Sequence, residues 1–94
     1  MMDAAATTRI LRIINEKGLH ARASAKFVEV VEAHDARVEV RRGGMDVSGD
    51  SIMGLLMLGA SRGTTIEIRT SGAEAAKLAD ALEALVANRF GEEY

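Results

Sequence analysis

Three segments of the chain alternate apolar and polar residues, which is the pattern of a strand that buries one face. The segments are residues 9–14, 36–41 and 64–69. Inward positions include Leu11, Ile13, Val38 and Val40, and outward positions include Arg12, Arg37, Glu39, Glu67 and Arg69. Two glycines at positions 43 and 44 predict a tight reversal, with residues 45–48 as the second arm of a hairpin. The pattern predicts a largely antiparallel sheet that is open to solvent on its charged face.

Three other segments carry apolar residues at helical spacing. They are residues 21–33, residues 51–58 and a longest segment that runs to about residue 89. Gly59 follows the second segment in the position typical of a helix end, and Ser71 followed by Glu74 predicts a capping box for the third. The element order is β-α-β-β-α-β-α. We therefore predict an α+β fold, an open-faced sandwich of a four-stranded antiparallel sheet with three helices on one face.

The predicted elements occupy residues 8–90 and form one small domain with a single core. Residues 1–7 are small or polar and predict a flexible N-terminal tail. Residues 91–94 form a C-terminal tail to which we assign no function. Because aromatic residues make up only 3% of the chain, the core is expected to be aliphatic.

Charge and composition exclude several kinds of site and partner. The net charge is −2 with both signs interspersed, whereas nucleic-acid binding calls for a concentrated basic face. No apolar run approaches the roughly 20 residues that span a bilayer, and the first residues lack the features of a signal peptide. The chain has no cysteine, which excludes disulfides and thiolate metal sites. We expect a cytoplasmic protein that binds neither nucleic acid nor membranes.

The stretch Gly-Leu-His-Ala-Arg at residues 18–22 combines the features of an anion site. It places His20 where the first predicted helix begins and Arg22 in its first turn. A helix N-terminus attracts anions, imidazole can act as a nucleophile near neutral pH, and guanidinium matches phosphate in geometry. Taken alone, such a histidine is also typical of an N-cap or of a plain surface position. Gly18 favours a phosphate site, because it lets the backbone turn sharply before the histidine.

Two motifs in register resemble the signatures of the HPr family, the phosphocarrier proteins of the phosphoenolpyruvate phosphotransferase system. Asn-Glu-Lys-Gly-Leu-His-Ala-Arg at residues 15–22, followed by Phe-Val at 27–28, is similar to the family's active-site signature. Gly-Asp-Ser-Ile-Met-Gly at residues 49–54, followed by Leu-Gly-Ala at 58–60, is similar to the signature around the family's regulatory serine. The element order also agrees with the family's HPr-like fold.

The resemblance covers about residues 8–90 and implies how the site works. His20 would be the phosphorylated histidine, modified on Nδ1, and Arg22 would stabilise the phosphoryl group together with N–H groups of the first helical turn. No cofactor or metal is implied, because Arg22 and the helix end balance the charge. Enzyme I of the pathway would donate the phosphoryl group and an enzyme IIA-type protein would accept it. The chain would be a monomeric phosphohistidine carrier rather than an enzyme, although such carriers are classed with transferases.

One position departs from the family pattern. The family usually has proline after the arginine, where this chain has Ala23. Proline there preorganises the first turn, and alanine is the best helix former, so the change should cost little. The run Ala-Arg-Ala-Ser-Ala-Lys-Phe-Val at residues 21–28 is similar to the NPr-like branch of the family, which works in the nitrogen-related phosphotransferase system and serves regulation rather than sugar uptake.

Ser51 has two interpretations. It is predicted to cap the second helix, and the resemblance implies that an HPr kinase/phosphorylase phosphorylates it. A phosphate adds about −1.5 to −2 charge. Placed beside an apolar contact surface, that charge should weaken docking of the phosphoryl donor.

The second predicted helix carries more large apolar side chains than two turns can bury. Ile52, Leu55 and Leu58 are predicted to face the core, whereas Met53, Leu56 and Met57 are predicted to form an exposed patch near His20. Leu19 is predicted to join this patch. The predicted partner-binding residues are Leu19, Ala25, Ile52, Met53 and Leu56.

Two other function classes remain open from the sequence. One is a regulatory interaction module whose Ser51 and apolar surface control target proteins, with transfer through His20 secondary. The other is a ligand-binding regulatory domain, but the sequence offers no polar cluster to line a buried pocket. His34 is predicted to be a surface or C-terminal capping residue of the first helix.

Overall fold

The computed structural model describes residues 6–94, and residues 1–5 of the predicted N-terminal tail lie outside the described residues. The strands are β1 (Thr7–Arg12), β2 (Arg37–Arg42), β3 (Met45–Ser48) and β4 (Thr65–Ser71). The helices are α1 (Ala21–Glu32), α2 (Ile52–Met57) and α3 (Ala75–Ala87), followed by a 3-10 turn at Arg89–Gly91. The predicted order β-α-β-β-α-β-α is confirmed.

The four strands form one antiparallel sheet in the order β1-β4-β2-β3. Leu11 pairs with Ile66 and Val40 pairs with Ile68, so the alternating apolar positions meet on one face. All four of these side chains are buried, and α3 packs over β1 and β4. Most of the outward charged side chains are exposed. The predicted open-faced sandwich is confirmed.

The core between sheet and helices is aliphatic except for the two phenylalanines of the chain, which are both fully buried. Phe27 extends from α1, and Phe90 lies in the 3-10 turn that follows α3. Phe90 therefore ties the end of the chain to the core. None of the helices between residues 6 and 94 has the length and apolar character needed to cross a membrane.

The predicted capping box at the start of the last helix is wrong. Ser71 belongs to β4, where it pairs with Arg37, so the strand runs two residues further than its apolar alternation suggested. Glu74 holds the N-cap position of α3 without a side-chain cap. Its carboxylate instead accepts the backbone N–H of Asp35 at 2.7 Å, and this bond holds the pKa of Glu74 below its usual value.

Candidate functional site

The loop that precedes α1 is held in one conformation by its neighbours. Gly18 has a φ of +68°, and a Cβ at this position would lie 2.6 Å from the carbonyl oxygen of Ala60, so only glycine fits. The next amide, that of Leu19, donates to the same oxygen at 2.9 Å. The Gly18 carbonyl accepts a hydrogen bond from Nδ2 of Asn15 at 2.9 Å. These contacts determine where the chain enters the helix and where His20 lies.

His20 occupies the N-cap position of α1 with an extended backbone, but its side chain makes no capping hydrogen bond. The helix begins with the bond from the Ser24 N–H to the His20 carbonyl at 2.8 Å. The amides of residues 21–23 therefore have no partner within the helix and point toward its N-terminal end. The imidazole is 27% exposed, so another protein can reach it. Side-chain capping, one of the interpretations of this histidine, is not what the structure shows.

The imidazole of His20 is hydrogen-bonded through Nε2 to a carboxylate oxygen of Glu92, in the C-terminal tail. The other carboxylate oxygen accepts a hydrogen bond from Nδ2 of Asn15 at 3.0 Å. Burial raises the pKa of the Glu92 carboxyl. The hydrogen bonds from Asn15 and His20 and the charges of His20 and Lys17 outweigh burial, so this pKa lies below its usual value. The carboxylate is therefore ionised at neutral pH.

Glu92 is the site residue that sequence reasoning missed. The run Gly-Glu-Glu-Tyr at the chain end has neither apolar periodicity nor a motif, so no signal in it marks the glutamate. The 3-10 turn brings it to the site, because Arg89 and Phe90 both adopt a φ of +55° there. That conformation costs an L-residue about 1–2 kcal/mol. The two residues together cost about 2–4 kcal/mol, of which burial of the Phe90 ring offsets roughly 1.5–3 kcal/mol.

An open cleft of about 570 Å³ surrounds His20. It is lined by Glu16, Lys17, His20, Ala21, Arg22, Lys26, Gly91, Glu92, Glu93 and Tyr94. Arg22 is exposed in the first turn of α1, whereas the Lys26 ammonium donates to the Phe90 carbonyl at 2.7 Å. Cations beside a helix N-terminus favour an anionic group in this cleft. Among residues 6–94, no group of three or more histidine, aspartate and glutamate residues is arranged to hold a metal ion.

Ser51 caps α2, as predicted: its Oγ accepts the backbone N–H of Gly54 at 3.0 Å. A smaller cleft of about 200 Å³ connects the other end of this helix to the histidine, since it is lined by both His20 and Gly59. The six residues of α2 span about 9 Å. The helix therefore runs from Ser51 at one end to the neighbourhood of His20 at the other.

Four apolar side chains of α2 are exposed and form what we call the α2 patch: Ile52, Met53, Leu56 and Met57. Met53 and Met57 are 70% and 65% exposed, and the pairs 52/56 and 53/57 each lie one helical turn apart, so the side chains form two adjacent rows. The predicted exposure of Met53, Leu56 and Met57 is confirmed. The core positions of Leu55 and Leu58 are also confirmed.

Two predictions about apolar side chains are wrong. Ile52 is 40% exposed rather than in the core, because a helix of six residues presents only Leu55 fully inward. Leu19 is buried, since the bond from its amide to Ala60 turns the loop inward. Its side chain therefore packs in the core next to the site instead of joining an exposed patch. Ala25, on α1, is half-buried.

His34 lies where the sequence placed it, just beyond the end of α1. Its Nδ1 is hydrogen-bonded to the carbonyl of Val30 at 2.7 Å, which satisfies a carbonyl of the last helical turn. The two histidines of the chain thus have different surroundings, one at a helix N-terminus in a cleft and one at a helix C-terminus.

Comparison with known proteins agrees with this fold. Residues 7–88 match the family model described as "PTS HPr component phosphorylation site". The chain is 48% identical over 80 residues to the phosphocarrier protein HPr of Cupriavidus necator, covering 85% of this chain and 90% of that protein. It is 38% identical over 84 residues to the phosphocarrier protein NPr of Shewanella violacea, covering 89% of this chain and 92% of that protein.

The fold is similar to solved structures of the same kind. The crystal structure of HPr-C-His from Thermoanaerobacter tengcongensis matches with a TM-score of 0.89 and 32% identity, covering 94% of this chain and 99% of that one. The family model that matches residues 7–88 and the relatives matched over about nine-tenths of their length therefore indicate the same family. The chain belongs to the HPr family of phosphocarrier proteins of the phosphotransferase system.

Proposed function

We propose that His20 accepts a phosphoryl group from phosphorylated enzyme I and passes it to a histidine of an enzyme IIA-type protein. The observation that supports this most strongly is the position of His20. It lies at the N-terminal end of α1, leaves the first-turn amides uncapped and opens into a cleft with Arg22. A carrier needs such a site, because donor and acceptor must both reach the same imidazole.

The transfer is an exchange of one nitrogen–phosphorus bond for another. Nδ1 of His20 attacks the phosphorus of the donor's phosphohistidine, and the donor's nitrogen–phosphorus bond breaks with its electron pair returning to the donor ring. The guanidinium of Arg22 and the uncapped amides stabilise the charge on the phosphoryl oxygens. The acceptor histidine repeats the step in the opposite sense. The chain is consumed and regenerated in each cycle, as a carrier rather than an enzyme, and acts as a monomer in the cytoplasm.

The α2 patch is the docking surface in this proposal. It is apolar and exposed, and the helix that carries it ends beside the cleft of His20. Partners that bury these side chains would bring their own phosphorylated or acceptor group to the imidazole. Methionine suits such a surface, because its flexible side chain adapts to more than one partner. Ala25 is half-buried on α1, the helix that packs against α2, and is the contact residue that this proposal assigns to α1.

Ser51 is the regulatory position in this proposal, as the substrate of an HPr kinase/phosphorylase. Ser51 is half-buried, its hydroxyl accepts the Gly54 amide N–H, and Asp50 beside it is exposed. A phosphate at Ser51 would stand at the N-terminal end of the short helix and at the edge of the α2 patch. The fold should tolerate that charge, while a docking partner would have to accommodate it.

A second candidate is a mainly regulatory module, favoured by Ala23 in the position where the family usually has proline. The NPr-like branch to which that run is similar serves regulation. Helix α1 nevertheless begins at Ala21 without proline, and Ala23 is buried, so the change leaves the site assembled. The two candidates differ in the acceptor and in whether phosphoryl transfer through His20 is the main function. One assay distinguishes them.

The assay charges the chain with labelled phosphoenolpyruvate and enzyme I, then adds acceptors. We expect acid-labile, base-stable label on the wild type, none on His20→Ala, and unchanged label on His34→Ala, which removes the other histidine. A chase with enzyme IIA proteins of the sugar and the nitrogen branches identifies the acceptor. Absence of label on folded wild type contradicts the carrier function and favours the regulatory module.

A further inference from the structure

We propose that Glu92 is a positioning residue that keeps the proton of the His20 imidazole on Nε2 and so leaves the lone pair of Nδ1 for the phosphoryl group. This inference rests on the carrier function proposed above. It assigns a role in that reaction to the C-terminal tail, which lies outside the two motifs that carry the family resemblance.

Other hydrogen bonds hold the contact between Glu92 and His20 in place. Asn15 is fully buried, and its Nδ2 donates both to the Gly18 carbonyl at 2.9 Å and to Oε1 of Glu92 at 3.0 Å. One amide thus holds the loop that positions His20 and the carboxylate that touches it. The backbone adds a further hydrogen bond, since the Glu16 N–H donates to a main-chain oxygen of Tyr94 at 3.0 Å.

The start of the tail is fixed as well. The fully buried ring of Phe90 anchors the turn from which the tail departs. The Lys26 ammonium donates to the Phe90 carbonyl at 2.7 Å, on the side of the turn that faces α1. With contacts at Phe90, Glu92 and Tyr94, the last five residues are bound along the cleft, and the carboxylate reaches the ring from a defined direction.

The chemistry of the two groups assigns the proton. An ionised carboxylate only accepts hydrogen bonds, so its contact with Nε2 requires a hydrogen on that nitrogen. In the neutral ring the unprotonated nitrogen is then Nδ1. A carboxylate that fixes the tautomer and orientation of an imidazole is the arrangement by which hydrolytic triads activate histidine. Here it would prepare Nδ1 as the nucleophile.

The same contact continues to act after the attack. When Nδ1 forms its bond to phosphorus, the Nε2–H remains and the ring becomes a cation, so no proton has to leave during the step. The negative charge of Glu92 stabilises that cation and, equally, the approach to it in the reverse transfer. Since the carboxylate touches Nε2 and leaves the other nitrogen to the partner, the geometry favours positioning over blockage of the site.

Nuclear magnetic resonance of the unphosphorylated chain tests the tautomer directly. Nitrogen shifts of the imidazole distinguish the two tautomers, and the exchange rate of the Nε2 proton reports its hydrogen bond. We expect the wild type and Glu29→Gln to show a protected Nε2–H on His20. Glu29 is exposed on α1, so its variant matches the change in charge. In Glu92→Ala the protection should be lost, and in Glu92→Gln, which keeps an acceptor oxygen, it should be retained in part.

Transfer kinetics from phosphorylated enzyme I provide the second readout. We expect Glu92→Ala to lower the rate constant of phosphoryl transfer about tenfold. The concentration of phosphorylated enzyme I that gives the half-maximal rate should change little. Glu92→Gln should fall between, and Glu29→Gln should match the wild type. A faster rate in Glu92→Ala, or identical histidine signals in wild type and Glu92→Ala, overturns the positioning role. A wild type that shows the protected Nε2–H but takes up no phosphoryl group leaves the positioning geometry standing and refutes the carrier function instead.

Discussion

Gly18 shows how a single residue sets the geometry of the site. The sequence indicated that this glycine lets the backbone turn before His20, and its φ of +68° confirms that interpretation. The structure adds what the sequence did not contain, a contact across the fold. Ala60 and Ser61 follow α2, and a Cβ at Gly18 would lie 2.6 Å from the Ala60 oxygen and 2.9 Å from the Ser61 Cα.

Gly18→Ala should therefore destabilise the protein through a backbone clash as well as through conformation. Gly59→Ala is the matched control, because Gly59 also has a positive φ of +59° but nothing within 4 Å of an added Cβ. Both variants carry the conformational cost of about 1–2 kcal/mol. We expect Gly18→Ala to lose a further 1–3 kcal/mol or so in free energy of unfolding. Equal losses in urea denaturation would contradict the clash.

At the scale of elements, predictions were correct where the local sequence determines the element. They were wrong where contacts with distant parts of the chain determine it. Helix α1 and the cap at Ser51 follow from local periodicity and local hydrogen bonding, and both were predicted. The start of α3 was not, because pairing of Ser71 with Arg37 extends β4 into the predicted cap. Burial of Leu19 was missed for the same reason, since its amide bonds to a distant part of the chain.

Helix α2 offers a test of docking that separates charge from capping. Ser51→Asp and Ser51→Asn both keep a side-chain oxygen for the Gly54 amide, but only the aspartate adds charge at the edge of the α2 patch. Both should unfold within about 1 kcal/mol of the wild type. We expect Ser51→Asp to raise the KM for phosphorylated enzyme I by roughly 5- to 30-fold, the equivalent of about 1–2 kcal/mol. Steady-state transfer assays with unchanged KM for both variants would refute a docking role for this edge.

At the scale of the whole molecule, the site is assembled from two segments that lie far apart in the sequence. Asn15 and His20 come from the segment that follows β1, and Glu92 comes from the last residues, beyond α3. Local motifs indicated His20 and the family, whereas Asn15 stood within the matched motif but no role of its own was predicted for it. Glu92 was beyond prediction, because its place depends on a left-handed turn at Arg89 and Phe90 and on the burial of one aromatic ring.

The stability that the contact of Glu92 with Asn15 and His20 contributes should depend on pH. The folded-state pKa of Glu92 lies below the ordinary value of 4.5 despite burial, because Asn15, His20 and Lys17 favour the ionised form. The stability that Glu92 contributes is therefore present above about pH 4.5 and is lost as the pH falls through the lower folded-state pKa. We expect the difference in unfolding free energy between wild type and Glu92→Gln to shrink below pH 4.5. A difference that does not change with pH in that range would contradict the ionised contact.

The atom that binds the phosphoryl group tests the carrier function of His20 most directly. The wild-type chain, labelled with nitrogen-15 in its imidazoles, is charged by phosphoenolpyruvate and enzyme I and observed by phosphorus and nitrogen magnetic resonance. We expect one phosphorus signal coupled to Nδ1 of His20, with the Nε2–H still present. Coupling to Nε2, a signal on His34, or a phosphoryl group on a hydroxyl instead of an imidazole would contradict this expectation.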